Sequence, residues 1–259
     1  MKPAPAGPRM RERIIYIPRH NSRMTETEGP LAEGKEAFMQ RDFAKAFSLF
    51  YKGAEIGDAE CQFRVGNMLY FGIGCPKDRK KAFMWFRKGA ENGSADAMCE
   101  LGLMYCSDKE VQHSPEKGMY WTCRAIDAGS KVAVYNLGSM YEHGVGCDRD
   151  YAKAAALYHN AMRSGVVEAE YAIAHLYHEG AGVEMNREKA FAYCKAAADR
   201  GLANAQFDTA ELFLTGDGCE RSLETAREYF MKAFAAGRTD AAPIIARIDK
   251  EMSGSEKGE

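Results

Sequence analysis

The sequence predicts an all-α fold of about six tandem helix hairpins, and three observations carry that prediction. Good N-cap residues recur every 36 positions, at Asp42, Asp78, Ser114, Asp150, Asn186 and Ser222. Glycines keep the same step at Gly57, Gly93, Gly129, Gly165, Gly201 and Gly237. Between the two marks each copy runs through an amphipathic pattern, as in the stretch 78–93. An N-cap side chain accepts a backbone N–H left unpaired in the first turn. Glycine tolerates the left-handed backbone that closes a helix. Two such marks held in register through six copies define a tandem repeat, and the helix between them is called helix B below.

Residues 1–30 are Pro-rich and basic, with Lys2, Arg9, Arg11, Arg13, Arg19 and Arg23 against the single acid Glu12 before Glu26. Pro3, Pro5, Pro8 and Pro18 oppose the helix that an Arg-rich mitochondrial address needs. The segment is expected to be a disordered tail, a cleaved leader being the alternative, and Met24 is an alternative start. A short helix at about 31–40 precedes the first helix B at 42–56, and this first repeat, 31–58, departs from the pattern as terminal repeats do. Five fuller repeats follow at about 59–94, 95–130, 131–166, 167–202 and 203–238. Each opens with a helix A such as 133–141, in which Gly66, Gly102, Gly138, Ala174 and Ala210 share one slot. A small residue there lets the partner helix come close. Glycine in a helix costs about 0.5–1 kcal/mol relative to alanine, so packing has to offset it.

Helix A ends in a Gly-x-Gly turn at Gly72/Gly74, Gly144/Gly146, Gly180/Gly182 and Gly216/Gly218, read as caps. Helix B carries a small slot at Ala46, Ala82, Gly118, Ala154, Ala190 and Ala226. A large slot three residues on holds Leu49, Trp85, Trp121, Leu157, Tyr193 and Tyr229. Such spacing suits two packed antiparallel helices. The third repeat is the exception, because Cys106–Ser114 replaces its Gly-x-Gly turn. A closing helix is expected at about 240–252, and 253–259 reads as a polar tail.

The 259 residues carry a net charge of −2, which calls for neither nucleic acid nor an anionic membrane. No apolar run approaches the roughly 18–20 residues of a membrane span, and the N-terminus has no apolar signal core, so a cytoplasmic location is expected. Eight cysteines then read as free thiols. Cys75, Cys147 and Cys219 share a slot that Val111 and Val183 fill elsewhere, Cys61 an alanine slot, and Cys99 and Cys194 slots otherwise mostly aromatic. Pairing of Cys106 with Cys123 stays open. No Cys-x-x-Cys occurs.

The pattern Ala-x-Tyr-x-Leu-Gly-x-Met-Tyr-x-x-Gly-x-Gly, then Asp-x-x-Lys-Ala and Lys-x-Ala-x-x-Gly, resembles the Sel1-like repeats, relatives of tetratricopeptide repeats. The fourth repeat carries it nearly whole, in Tyr135, Leu137, Gly138, Met140, Tyr141, Gly144, Gly146, Asp150, Lys153, Ala154 and Gly165. The resemblance covers about 31–238. It implies α/α hairpins stacked in a right-handed superhelix, or solenoid, and an adaptor or scaffold role rather than catalysis. One branch, the Helicobacter cysteine-rich proteins, is linked to penicillin binding and weak β-lactamase activity. It carries paired cysteines eight apart, and no two cysteines here have that spacing.

If helix A lines a concave surface, as in related solenoids, its solvent-facing stripe runs through slots spaced i, i+4, i+7 and i+11. The candidate binding residues on it are Arg64, Asn67, Phe71, Glu100, Asn136, Ser139, His143, His175, Glu179, Asp208 and Glu211. This mixed, mildly acidic groove suits an extended or helical peptide with basic and apolar side chains. His143, His175 and Glu179 are ligand types for zinc, but His-x-x-His-Glu is not the zincin order, and solvated histidines are the expectation. Ser114-Pro-Glu-Lys117 matches Ser-x-x-Lys of penicillin-recognising enzymes, yet Ser114 is an N-cap of the series and the accompanying Lys-Thr-Gly is absent. The reading is a non-catalytic protein-interaction scaffold without cofactor or metal. The alternative is a penicillin-binding relative of the cysteine-rich branch.

Overall fold

The computed structural model describes residues 29–107 and 113–255. The tail at 1–28, the stretch 108–112 of the third repeat's loop and 256–259 of the polar tail lie outside the described residues. The described chain is helical throughout, with no strand. Its elements are α1 (Pro30–Met39), α2 (Phe43–Glu55), α3 (Ala59–Phe71), α4 (Arg79–Glu91), α5 (Ala95–Ser107), α6 (Pro115–Asp127) and α7 (Lys131–His143). They continue with α8 (Tyr151–Arg163), α9 (Val167–Glu179), α10 (Arg187–Asp199), α11 (Ala203–Thr215), α12 (Leu223–Ala235), a 3-10 turn (Thr239–Ala241) and α13 (Ala242–Ser255). The fold class is the solenoid of helix hairpins that the repeats predict. The chain divides into two compact units, Met1–Ser114 and Pro115–Glu259. In the first, each of α1 to α4 packs on the next; in the second, each of α6 to α12 packs on the next.

Local chemistry sets the hairpin boundaries. Asp42, Asp78, Asp150, Asn186 and Ser222 each accept the backbone N–H three residues on, at 2.7–3.2 Å. Each N-cap of the five fuller repeats also donates its own N–H to helix A nine residues back, at 2.9–3.0 Å, as from Asp150 to Tyr141 O. Ser114 does the same to Tyr105 O at 2.9 Å. The third repeat, without Gly-x-Gly, therefore closes its loop on the same hydrogen bond. Asp58, Ser94 and Ser130 cap helix A at 2.7–3.2 Å, caps the 36-residue series does not include.

The two turn glycines differ in their reason. Gly72, Gly144, Gly180 and Gly216 are left-handed C-caps with φ of 67–76°. The second glycine is a place of close approach as well. A Cβ on Gly74 would stand 2.2 Å from Phe43 O, and one on Gly182 2.3 Å from the Tyr151 carbonyl carbon. Each turn thus rests on the first residue of helix B in the repeat before it, and capping alone does not explain the second glycine.

The core also corrects the expected register of helix B. Trp85, Trp121, Leu157 and Tyr193 are only half-buried. The deepest side chains are one residue later, at Phe50, Phe86, Tyr158 and Phe230, all 1% exposed or less. They stand four residues beyond the small slot, on its own helix face. The small slot of helix A receives these rings. A Cβ on Gly66 would meet the Phe86 ring at 2.6 Å, and one on Gly138 the Tyr158 ring at 2.8 Å. In the second unit Ile248 of α13 is 1% exposed and joins a cluster with Phe207, Tyr229, Phe230 and Ala233, against which Ile244, Ile245 and Met252 also pack. The closing helix runs to Ser255, three residues past its expected end.

Candidate functional site

In the first unit the helix A stripe presents Arg64, Asn67, Phe71 and Glu100. Arg64 forms an ion pair with Glu60 one turn back, Nη2 to Oε1 2.7 Å, and its guanidinium lies 5.8 Å from the Phe63 ring centroid. Asn67 and Glu100 are half-buried. Phe71 is exposed at the end of α3, its ring edge-on to Tyr70 at 5.0 Å.

In the second unit the stripe runs along α7, α9 and α11. Ser139 and His143 stay together, with His143 Nδ1 2.9 Å from Ser139 O. Glu179 and Glu211 are exposed. Asn136 is not on the surface, being only 7% exposed. Its slot borders the buried Ala133 and Met140 one turn either way, so exposure there depends on reach. Arg64 and Glu100 are long enough to leave the same slot, and Asn136 is not.

His175 pairs across the repeat boundary. Its Nε2 stands 3.6 Å from Asp208 Oδ2, and its ring packs edge-on to Tyr171 at 4.5 Å. The Tyr171 hydroxyl donates to the same Asp208 oxygen at 2.6 Å. His175 therefore faces the next repeat and not His143 or Glu179, and no group of three or more His, Cys, Asp or Glu side chains among the described residues is arranged to hold a metal. His178, off the stripe, stands 3.1 Å from Asp217, which also binds Arg187.

The face is acidic. Burial, then the charges of Glu168 and Glu142, push the Tyr135 phenol up to about 12. Burial followed by Glu142 raises Tyr158, whose hydroxyl donates to that carboxylate. Tyr171 is raised by burial and then by Asp208. Loss of solvation, followed by the Asp208 charge, raises Glu211. Burial and the neighbouring Asp208 charge thus both oppose ionisation of Glu211.

Sequence reasoning missed a second row, one slot before the Phe63 core slot. Gln62 is 3% exposed; its Nε2 donates to Ala54 O at 3.1 Å and its Oε1 accepts from Asn92 Nδ2 at 2.9 Å. The fifth repeat makes the same clasp with charge, Arg200 donating to Glu170 at 2.7 Å and to Gly165 O at 2.8 Å. In the sixth, Gln206 Nε2 reaches Ala198 O at 3.3 Å while its buried Oε1 has no donor. The Asn92 slot holds Ala236 there. The signal was present as paired residue types 30 positions apart.

All eight cysteines are free, Cys106 and Cys123 included. Burial pushes the thiols of Cys61 and Cys194 up to about 12, which keeps them from acting as nucleophiles. No described helix is long and apolar enough to cross a membrane.

Comparison with known proteins matches this geometry. The profile of the Sel1 repeat matches residues 31–58, 59–94, 95–130, 131–166, 167–202 and 203–237. No curated protein matches the chain. Among solved structures, c5321, a protective antigen of uropathogenic Escherichia coli with an SLR fold, is 26% identical, with a TM-score of 0.68 over 85% of this chain. This chain spans 48% of the length of c5321. A Sel1 repeat protein from Oxalobacter formigenes is 22% identical, with a TM-score of 0.72 over 86% of this chain and 88% of that one. The immunity protein Pa5087 of Pseudomonas aeruginosa is 18% identical, with a TM-score of 0.59 over 82% and 83% of the two chains. With the repeat profile matched six times along a chain folded into the corresponding helix hairpins, this chain belongs to the Sel1 repeat family.

Proposed function

We propose that the chain is a non-catalytic interaction module whose helix A face in the Pro115–Glu259 unit docks a peptide carrying basic and apolar side chains. The observation that supports this most directly is Glu211, three residues after Asp208 on α11, whose carboxyl is raised by burial and then by the Asp208 charge. A lysine or arginine placed there relieves that repulsion, and Glu179 extends the acidic surface. Repeat arrays commonly use such faces as extended binding surfaces. The mild negative charge of the chain gives no basic footprint for nucleic acid. The eight free thiols fit a reducing compartment such as the cytoplasm.

The test is selection of a random peptide library on the full-length protein, counter-selected on a Glu179→Lys, Glu211→Lys double variant. Both positions are exposed, so the variant should keep its helical circular dichroism and melting temperature. Enrichment of peptides with Lys or Arg beside apolar residues, bound about tenfold or more weakly by the variant, is the expected result. Peptides without basic residues, or equal binding to both proteins, would overturn the proposal.

A further inference from the structure

The first unit holds a cavity of about 520 Å³ between α2 and α4, on the helix B side and away from the helix A stripe. Its floor is the buried Gln62, whose Oε1 already accepts a hydrogen bond from the exposed Asn92 at 2.9 Å. Its aromatic wall is Tyr51 with Trp85, edge-on at 5.4 Å. Glu55 and Glu91 both line it. Glu91 pairs with Arg87 at 3.4 Å, whereas Glu55 has no ion pair among the described residues. The Lys88 ammonium stands 4.3 Å from the Trp85 ring centroid, so the ring face is already used by a cation. In the second unit the slots of the two acids hold Asp127 with Arg163, Arg163 with Asp199, and Asp199 with Ala235, so paired acids do not recur there.

We infer that this cavity is a binding site for an arginine side chain of a partner protein. The guanidinium takes the place of Lys88 over Trp85 and brings its N–H groups to Glu55 and Glu91. Lys88 is exposed, so its long side chain has solvent to move into. A guanidinium is planar, more weakly hydrated than an ammonium, and stacks on an aromatic face while still donating sideways to carboxylates. That combination of an aromatic wall, two acids and a resident cation selects arginine over an apolar ligand.

The test follows the indole N–H resonance of Trp85 in the full-length protein during titration with N-acetyl-arginine methylamide. Trp121, the second tryptophan, is the internal control. The resonance of Trp85 should shift saturably and that of Trp121 should not, and the neutral isostere N-acetyl-citrulline methylamide should bind about tenfold more weakly. Glu55→Gln should weaken arginine about tenfold, and Lys88→Ala, which removes the competing cation, should strengthen it about threefold. No saturable shift, equal binding of citrulline, or weaker binding by Lys88→Ala would each overturn the inference. A full-length Arg19→Gln, Arg23→Gln variant with an unchanged curve keeps the occupant external. A tighter curve would mean that the chain's own basic N-terminal segment competes for the cavity, and would overturn assignment to a partner.

Discussion

The Tyr171 hydroxyl of α9 donates at 2.6 Å to the Asp208 carboxylate of α11, tying helix A of the fifth repeat to helix A of the sixth. This bond crosses a boundary that stacking of apolar residues alone would leave to shape. Replacing it with Tyr171→Phe keeps the ring against His175 and removes only the donor. The expected cost is about 1.5 kcal/mol, the usual worth of a hydrogen bond to a charged acceptor. A urea midpoint unchanged from wild type would show that water replaces the hydroxyl without loss.

The orphaned Gln206 offers a test with the opposite sign. Ala236→Asn places an amide where Asn92 serves Gln62, so the buried Oε1 gains a donor. Stability should rise by about 1 kcal/mol. Asn92→Ala should fall by a similar amount, because it creates in the second repeat the mismatch the sixth already has. A lower melting temperature for Ala236→Asn would refute the equivalence of the two clasps.

Glycines with the same sign of φ are expected to differ in cost. Gly165, at φ 92°, has nothing within 4 Å of an added Cβ, so Gly165→Ala carries only the left-handed penalty of about 1–2 kcal/mol. Gly182, at φ 69°, adds a collision with the Tyr151 backbone at 2.3 Å. Gly182→Ala should cost about 3 kcal/mol or more, since backbone on both sides has to shift. Thermal melts of the two variants in parallel decide it, and equal losses would contradict the close approach.

Asp150 links stability to pH. The Lys153 backbone N–H, followed by the Lys153 side chain, holds its carboxyl below the usual value of 3.8. A depressed folded-state pKa gives stability that is complete above the unfolded value and is lost as pH falls through the folded one. The melting temperature of Asp150→Ala should therefore lie below wild type at pH 7, with the gap closing only below pH 3.8. Asp150→Asn retains an acceptor and should show a smaller gap at pH 7. A gap independent of pH would remove the carboxylate from the cap.

Much of this molecule is written locally and repeatedly. The 36-residue step of caps and glycines determined the all-α class, the number of hairpins and the residues at which each helix B begins, because capping and left-handed backbone are decided within a few residues of chain. The buried residues Phe63, Val65, Gly66 and Leu69 of α3 follow the same local logic, as one face of a 3.6-residue period. Tertiary structure decided what depends on two chains of residues meeting. It turned Asn136 inward by side-chain length, moved the deepest layer from Trp85 to Phe86, and paired His175 with Asp208 of the next repeat rather than with Glu179 on its own helix. It also gave the second turn glycine its reason, which lies in the backbone of the preceding repeat. Periodicity sets which face a residue is on. Which neighbour fills the space beyond that face is fixed only when adjacent hairpins pack.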